Sequence, residues 1–118
     1  MGNTMIVNTD GIAFAKQLLE QGLYRLSTPW RTVQPSETAA RKFWEQQGAM
    51  DYARWHLALD PAQPEGSKER YLLPLGDFKS IHRSGIVAAR DRAEREGAAD
   101  VRQAVEDILD LFDRMNAC

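Results

Sequence analysis

The sequence predicts a mainly α, single compact domain of about five helices, with at most one short extended segment near residues 71–75. Three observations carry that expectation. Val101, Val105, Ile108, Phe112 and Met115 recur at alternating spacings of four and three, the stripe of an amphipathic helix. Apolar residues at helical spacing recur earlier in the chain, each set bounded by capping or stop residues. At 118 residues the chain has the usual length of one domain, and folding should bury roughly two-thirds of its surface, enough for a core without metal or disulfide help.

Taken in order, Asn8-Thr9-Asp10 offers capping side chains. Ile12, Ala15, Leu18, Leu19 and Leu23 follow on one stripe, and Gly22 is a natural stop. The first helix should therefore run from about Asp10 to Gln21. Residues 24–35 contain Pro29 and Pro35 and show no period, so an extended connector is expected there, with Trp30 as its anchor in the core. Ser36 caps a second helix with Glu37 in its first turn, and Ala40, Phe43, Trp44 and Gln47 line one face up to Gly48. A third helical pattern runs from Ala49 to about Leu59 through Tyr52, Trp55 and His56. It forms either a hairpin with the second helix or its continuation past a kink.

Residues 60–68, with two prolines, a glycine and a serine, read as a surface loop. Tyr71-Leu72-Leu73-Pro74-Leu75 is the strand candidate, followed by a Gly76-Asp77 turn and a basic connector bearing His82. A helix starting near Ser84 should reach Glu96, with Gly97 closing it; a start at Asp77 would leave Gly85 in mid-helix at a cost of about 1 kcal/mol. Asp100 can cap the last helix, whose other face carries Glu106, Asp107, Asp110 and Asp113 and should be solvated. The expected core comprises Phe43, Trp44, Trp55, Leu72, Ile86, Val105, Ile108 and Phe112.

Composition narrows the function. A content of 43% hydrophobic and 27% charged residues is that of a soluble globular protein. The net charge of −2 provides no overall field toward nucleic acid or anionic lipid. No apolar run approaches the ~20 residues of a membrane span. The N-terminus lacks the basic start and apolar block of a signal peptide, and Ile6 stands where a myristoylation signal wants Ser or Thr. The single cysteine, Cys118, has no internal partner. The chain reads as soluble and cytoplasmic.

No catalytic constellation emerges. His56 and His82 lack the HxxxH, HxH or HExxH spacings of metal sites, so neither metal nor cofactor is expected. His56, on an aromatic stripe, reads as a packed core residue, and His82 as a residue that caps or orients the turn. There is no GxSxG elbow, and Ser84 lies two residues from His82, a spacing that does not face the two together on a helix. Gly76 and Gly85 stand alone, outside any phosphate-binding glycine pattern. An enzyme is not expected.

Charge asymmetry is the feature that points to a partner. Seven basic residues stand against four acidic ones between Lys68 and Arg95, whereas residues 96–118 hold two basic and six acidic. The sequence therefore predicts a partner-binding surface at Arg70, Lys79, His82 and Arg83. It would dock a protein or a second copy of the chain, with nucleic acid as the alternative ligand of the basic 68–95 segment. A helix–turn–helix drawn over residues 84–116 would present the acidic last helix to DNA, which phosphate repulsion opposes.

The second half also resembles a small domain found in phage and prophage proteins. The resemblance rests on Trp55, the Lys68-Glu69-Arg70-Tyr71-Leu72-Leu73-Pro74 segment, His82-Arg83-Ser84-Gly85, Ala88-Ala89, Arg92-Ala93 and the helix ending near Met115. It covers roughly residues 44–115; residues 1–43, the first helix and connector, have no counterpart. The resemblance implies a phage or prophage context in a bacterium and brings no catalytic residues with it.

Overall fold

The computed structural model describes residues 5–116; the Met-Gly start and Cys118 lie outside them. Its largest helix, α6 (Ala99–Met115), buries Val101, Val105, Ile108, Leu109 and Phe112, the stripe that the spacing predicts. Beside it runs α5 (Arg83–Arg95), whose Gly85, Ile86, Ala89 and Ala93 are buried. The two are joined at Gly97, which takes φ 71. There the Ala98 amide donates to Ala93 O at 2.9 Å and the Gly97 amide to Glu94 O at 3.1 Å. Such paired bonds satisfy carbonyls that a helix end would otherwise leave open.

The N-terminal part folds as expected in outline. Strand β1 (Ile6–Val7) leads into α1 (Thr9–Glu20), which Gly22 closes at φ 78 in the same way. Strand β2 (Tyr24–Arg25) follows. A single turn, α2 (Trp30–Val33), occupies the connector that the prolines were expected to keep extended. Pro29 precedes this turn and Pro35 follows it, so neither ring falls inside it, and four residues suffice to close one turn. Trp30 is half-buried, and its ring lies so near Gly85 that a Cβ there would come within 2.7 Å of it. Helix α3 (Glu37–Gln47) starts at Ser36, whose Oγ accepts from the Ala39 amide at 3.0 Å, and Gly48 at φ 91 separates it from α4 (Ala49–Arg54).

The main departure comes next. The third helix does not reach Leu59: α4 ends at Arg54, and His56–Leu59 form strand β3. Trp55, His56, Leu57 and Ala58 are all buried. A short run buried on both faces suits a central strand, and the helical stripe drawn through Trp55, His56 and Leu59 overlooked that Leu57 and Ala58 are buried too. Strand β4 (Tyr71–Pro74) is the extended segment expected near 71–75. It forms one edge of an antiparallel sheet ordered β1-β3-β4, with Ile6 opposite Leu59 and Leu59 opposite Tyr71. A second, two-stranded sheet pairs β2 in parallel with β5 (Ile81–His82), setting Tyr24 against Ile81 and Arg25 against His82. The domain is mainly α, with these short strands filling the space between α1 and the α5–α6 pair.

The core is built on Leu19, Leu57, Leu75, Ile81, Ile86, Val101, Val105, Ile108 and Phe112, all fully buried. Trp55 belongs to it, and Phe43 and Leu72 pack against it half-buried. Trp44, expected inside, is half-buried outside that cluster, where its indole N–H donates to Gly66 O at 3.1 Å. The reason is its place on α3, a helix with no fully buried residue. Among the described residues no helix is long and apolar enough to cross a membrane.

Candidate interaction surface

Of the four residues expected to bind a partner, one is buried and two are engaged within the chain. Arg70 is half-buried, and its guanidinium donates to Gln63 O at 2.8 Å, bracing the 60–68 loop. It lines a shallow groove of about 350 Å³ together with Met50, Ala53, Leu59 and Tyr71. Lys79 is exposed at the tip of the turn after β4. His82 is only 3% exposed, so its ring offers a partner nothing to touch. Arg83, at the start of α5, reaches across to the end of α6 and grips Asp113 with two bonds, at 3.1 and 3.3 Å.

The turn that carries Lys79 is organised by Asp77. Its Oδ1 accepts from the Lys79 amide at 3.0 Å and the Ser80 amide at 2.8 Å, and Oδ2 lies 3.2 Å from His82 Nε2. Burial pushes this carboxyl up, but those amides and the imidazole outweigh burial and hold it below its ordinary range. The Asp77–His82 approach is short yet poorly directed, because neither ring nitrogen of His82 makes a well-formed hydrogen bond among the described residues. We read it as a positioning contact. Gly76 makes the turn possible: a Cβ there would sit 1.9 Å from Ser80 O.

His56 has the packed role its aromatic neighbours implied. Its Nδ1 bonds Tyr52 O at 2.8 Å, and its ring lies among Tyr52, Tyr71 and Phe78. Burial lowers its pKa to about 4, with the Tyr52 bond opposing and Lys68 assisting, so the ring is neutral at pH 7. Among the described residues no group of three or more His, Cys, Asp or Glu is placed to hold a metal ion.

Much of the positive charge between Lys68 and Arg95 is met locally. Arg90 pairs with Asp91, Arg92 with Glu96 and Arg83 with Asp113, while Glu94 is taken by Arg102. Lys79 and Arg95 are exposed and have no ion-pair partner among the described residues.

A second candidate surface involves β2 and the end of α6. Five large apolar side chains are exposed among the described residues: Ile6, Leu23, Leu26, Met50 and Met115. Three of them, Leu23, Leu26 and Met115, at 45%, 44% and 41% exposure, bracket one contact. Leu23 and Leu26 flank β2, whose Tyr24 packs edge-on against Phe112 and reaches Asn116 Oδ1 at 3.2 Å; Met115 adjoins Asn116. Among the described residues, strand β2 pairs with β5 and with no other strand. The Arg83–Asp113 pair lies beside this patch, since β2 is paired to the residue before Arg83.

The sequence placed Leu23 and Met115 on inward stripes, and both prove exposed because Leu23 lies beyond the end of α1 and Met115 is the last residue of α6. Their apolar character between polar neighbours was the available signal. What joins their segments is the contact of Tyr24 with Phe112 and Asn116, which no local pattern reports.

Comparison with family models, curated proteins and solved structures returned no match. The reading of this chain therefore rests on its own residues.

Proposed function

We propose that this chain is a non-enzymatic protein-interaction module, and that it docks through the face formed by Leu23, Leu26 and Met115 at the free edge of β2. The observation that carries this reading is that Leu23 and Leu26, on either side of β2, and Met115, beside the Asn116 that Tyr24 contacts, are large apolar side chains left exposed. Exposed strand edges recruit further strands, and apolar patches gathered on a surface mark contact sites. Arg83 contributes by fixing the end of α6 through Asp113, so its role in binding is indirect. The context we propose, from the resemblance over residues 44–115, is a phage or prophage protein in the bacterial cytoplasm.

The test is crosslinking of the native protein in cell extract, comparing the wild type with Leu26→Glu. The docking reading expects crosslinked species that disappear in the variant while its circular dichroism is unchanged. An identical crosslinking pattern in both proteins would reject it.

A second reading, nucleic-acid backbone binding by the 68–95 segment, draws on the unpaired Lys79 and Arg95. It requires a complex with a mixed-sequence duplex that dissolves steeply with salt and weakens on Lys79→Glu/Arg95→Glu. Absence of any complex at low salt and micromolar protein would dismiss it.

A further inference from the structure

We propose that α3 is a hinged strap, latched by Phe43 on Phe78, and that its release is coupled to the shape of the 76–80 turn. None of the residues of the docking face takes part.

The strap follows from how little of α3 is held down. Within the helix only Ala40, Phe43 and Trp44 are half-buried, and the rest are exposed. Those three lie at spacings of three and four, so one narrow stripe carries the contact. Phe43 stacks on Phe78 with ring centroids 4.3 Å apart and planes 11° from parallel. The Trp44 indole N–H donates to Gly66 O at 3.1 Å. Both ends suit a hinge. Gly48, at φ 91, joins α3 to α4, and a Cβ added there would meet nothing within 4 Å. At the other end Gln34 and Ser36 are exposed on either side of Pro35, and the Ser36 cap is made within α3 itself.

The ring on which the strap closes is held in an uncommon backbone. Phe78 takes φ 67, in the left-handed region, which a phenylalanine keeps only where its surroundings compensate. Two supports are in place. The Asp77 carboxylate ties down the Lys79 and Ser80 amides. The ring itself is gripped face-on by Phe43 and edge-on by Trp55, whose centroid is 5.9 Å away. Lifting α3 removes the face-on contact, so strap and turn share one equilibrium, and each stabilises the closed form of the other. Released from its stripe, a helix this short is marginal in water, so opening removes the amide protection of α3.

The test is residue-by-residue hydrogen exchange of the full chain by nuclear magnetic resonance, in the wild type and in Phe43→Ala. In the wild type the amides of residues 41–47 are expected to exchange together, about tenfold or more faster than those of residues 105–112 in α6. Phe43→Ala is expected to quicken residues 41–47 and the Lys79 and Ser80 amides by a common factor of about ten. Trp44→Phe keeps an aromatic ring and loses the bond to Gly66 O. It is expected to quicken the same two sets together by a smaller factor, and it carries the test should Phe43→Ala fail to fold. Amides of α3 as protected as those of α6, or rates graded along α3 as in fraying from one end, would overturn the proposal. So would a turn whose exchange is indifferent to the folded variants.

Discussion

Gly11→Ala offers a clear conflict between local preference and tertiary packing. In an exposed helix interior this change gains about 1 kcal/mol, because alanine loses less backbone freedom than glycine. In α1, however, the added Cβ would stand 1.7 Å from the His56 carbonyl oxygen and 2.8 Å from its carbon. A carbon–oxygen contact needs about 3.3 Å, so α1 and β3 would have to part by roughly 1.5 Å. Both elements are anchored, since Leu18, Leu19 and Leu57 are buried in the common core. Overpacking of this kind costs about 1–3 kcal/mol, at the upper end when the neighbour is backbone. The parting also disturbs Asn8, whose buried amide donates to His56 O and Ala53 O, both at 2.9 Å. Each such bond is worth about 1 kcal/mol. Combining these, Gly11→Ala should destabilise the domain by about 3 kcal/mol. Urea unfolding followed by tryptophan fluorescence measures this as a lower midpoint at unchanged slope. An unchanged or higher midpoint would refute the claim that α1 rests on the β3 backbone at Gly11.

The remaining predictions follow from the same contacts. His56 is neutral in the fold with a pKa of about 4, against an ordinary value of 6.5 for a solvated imidazole, so the unfolded chain binds more protons between those values. Stability should therefore hold above pH 6.5 and fall as pH drops toward 4, by about 3 kcal/mol in all, and a denaturation series in His56→Gln should lose that slope. Asp77→Ala removes the acceptor of two turn amides and should cost about 2 kcal/mol in the same assay, with the peptide segment around Lys79 becoming protease-sensitive. Phe112→Ala empties a fully buried site and should cost about 3–5 kcal/mol, read as a fall in melting temperature. Arg83→Ala opens an exposed ion pair and should change stability by less than about 1 kcal/mol, which separates its modest role from that of the core.

What was legible in the sequence has a physical pattern. Elements fixed by local chemistry were read well: the α6 stripe, the Ser36 cap, and the Gly22 and Gly97 closures all depend on residues within a few positions of one another. Strand β3 was misread because Trp55, His56 and Leu59 satisfy a helical stripe, whereas its true determinant is burial between α1 and the neighbouring strands. The basic segment misled for a similar reason. Counting charges along the chain cannot reveal that Arg83 will meet Asp113, thirty residues on, once α5 and α6 pack together. His82 was singled out by its basic surroundings, yet its place on β5, beneath the turn, buries it. The exposed leucines around β2 were missed because Tyr24 meets Phe112 and Asn116 across some ninety residues, a contact with no local sign in the sequence.

A photo-crosslinking side chain placed at position 26 and, separately, at position 79 tests the central claim most directly in cell extract. The account predicts adducts with other proteins from position 26 and none from position 79. Adducts from position 79 alone, or none that depend on position 26, would contradict it.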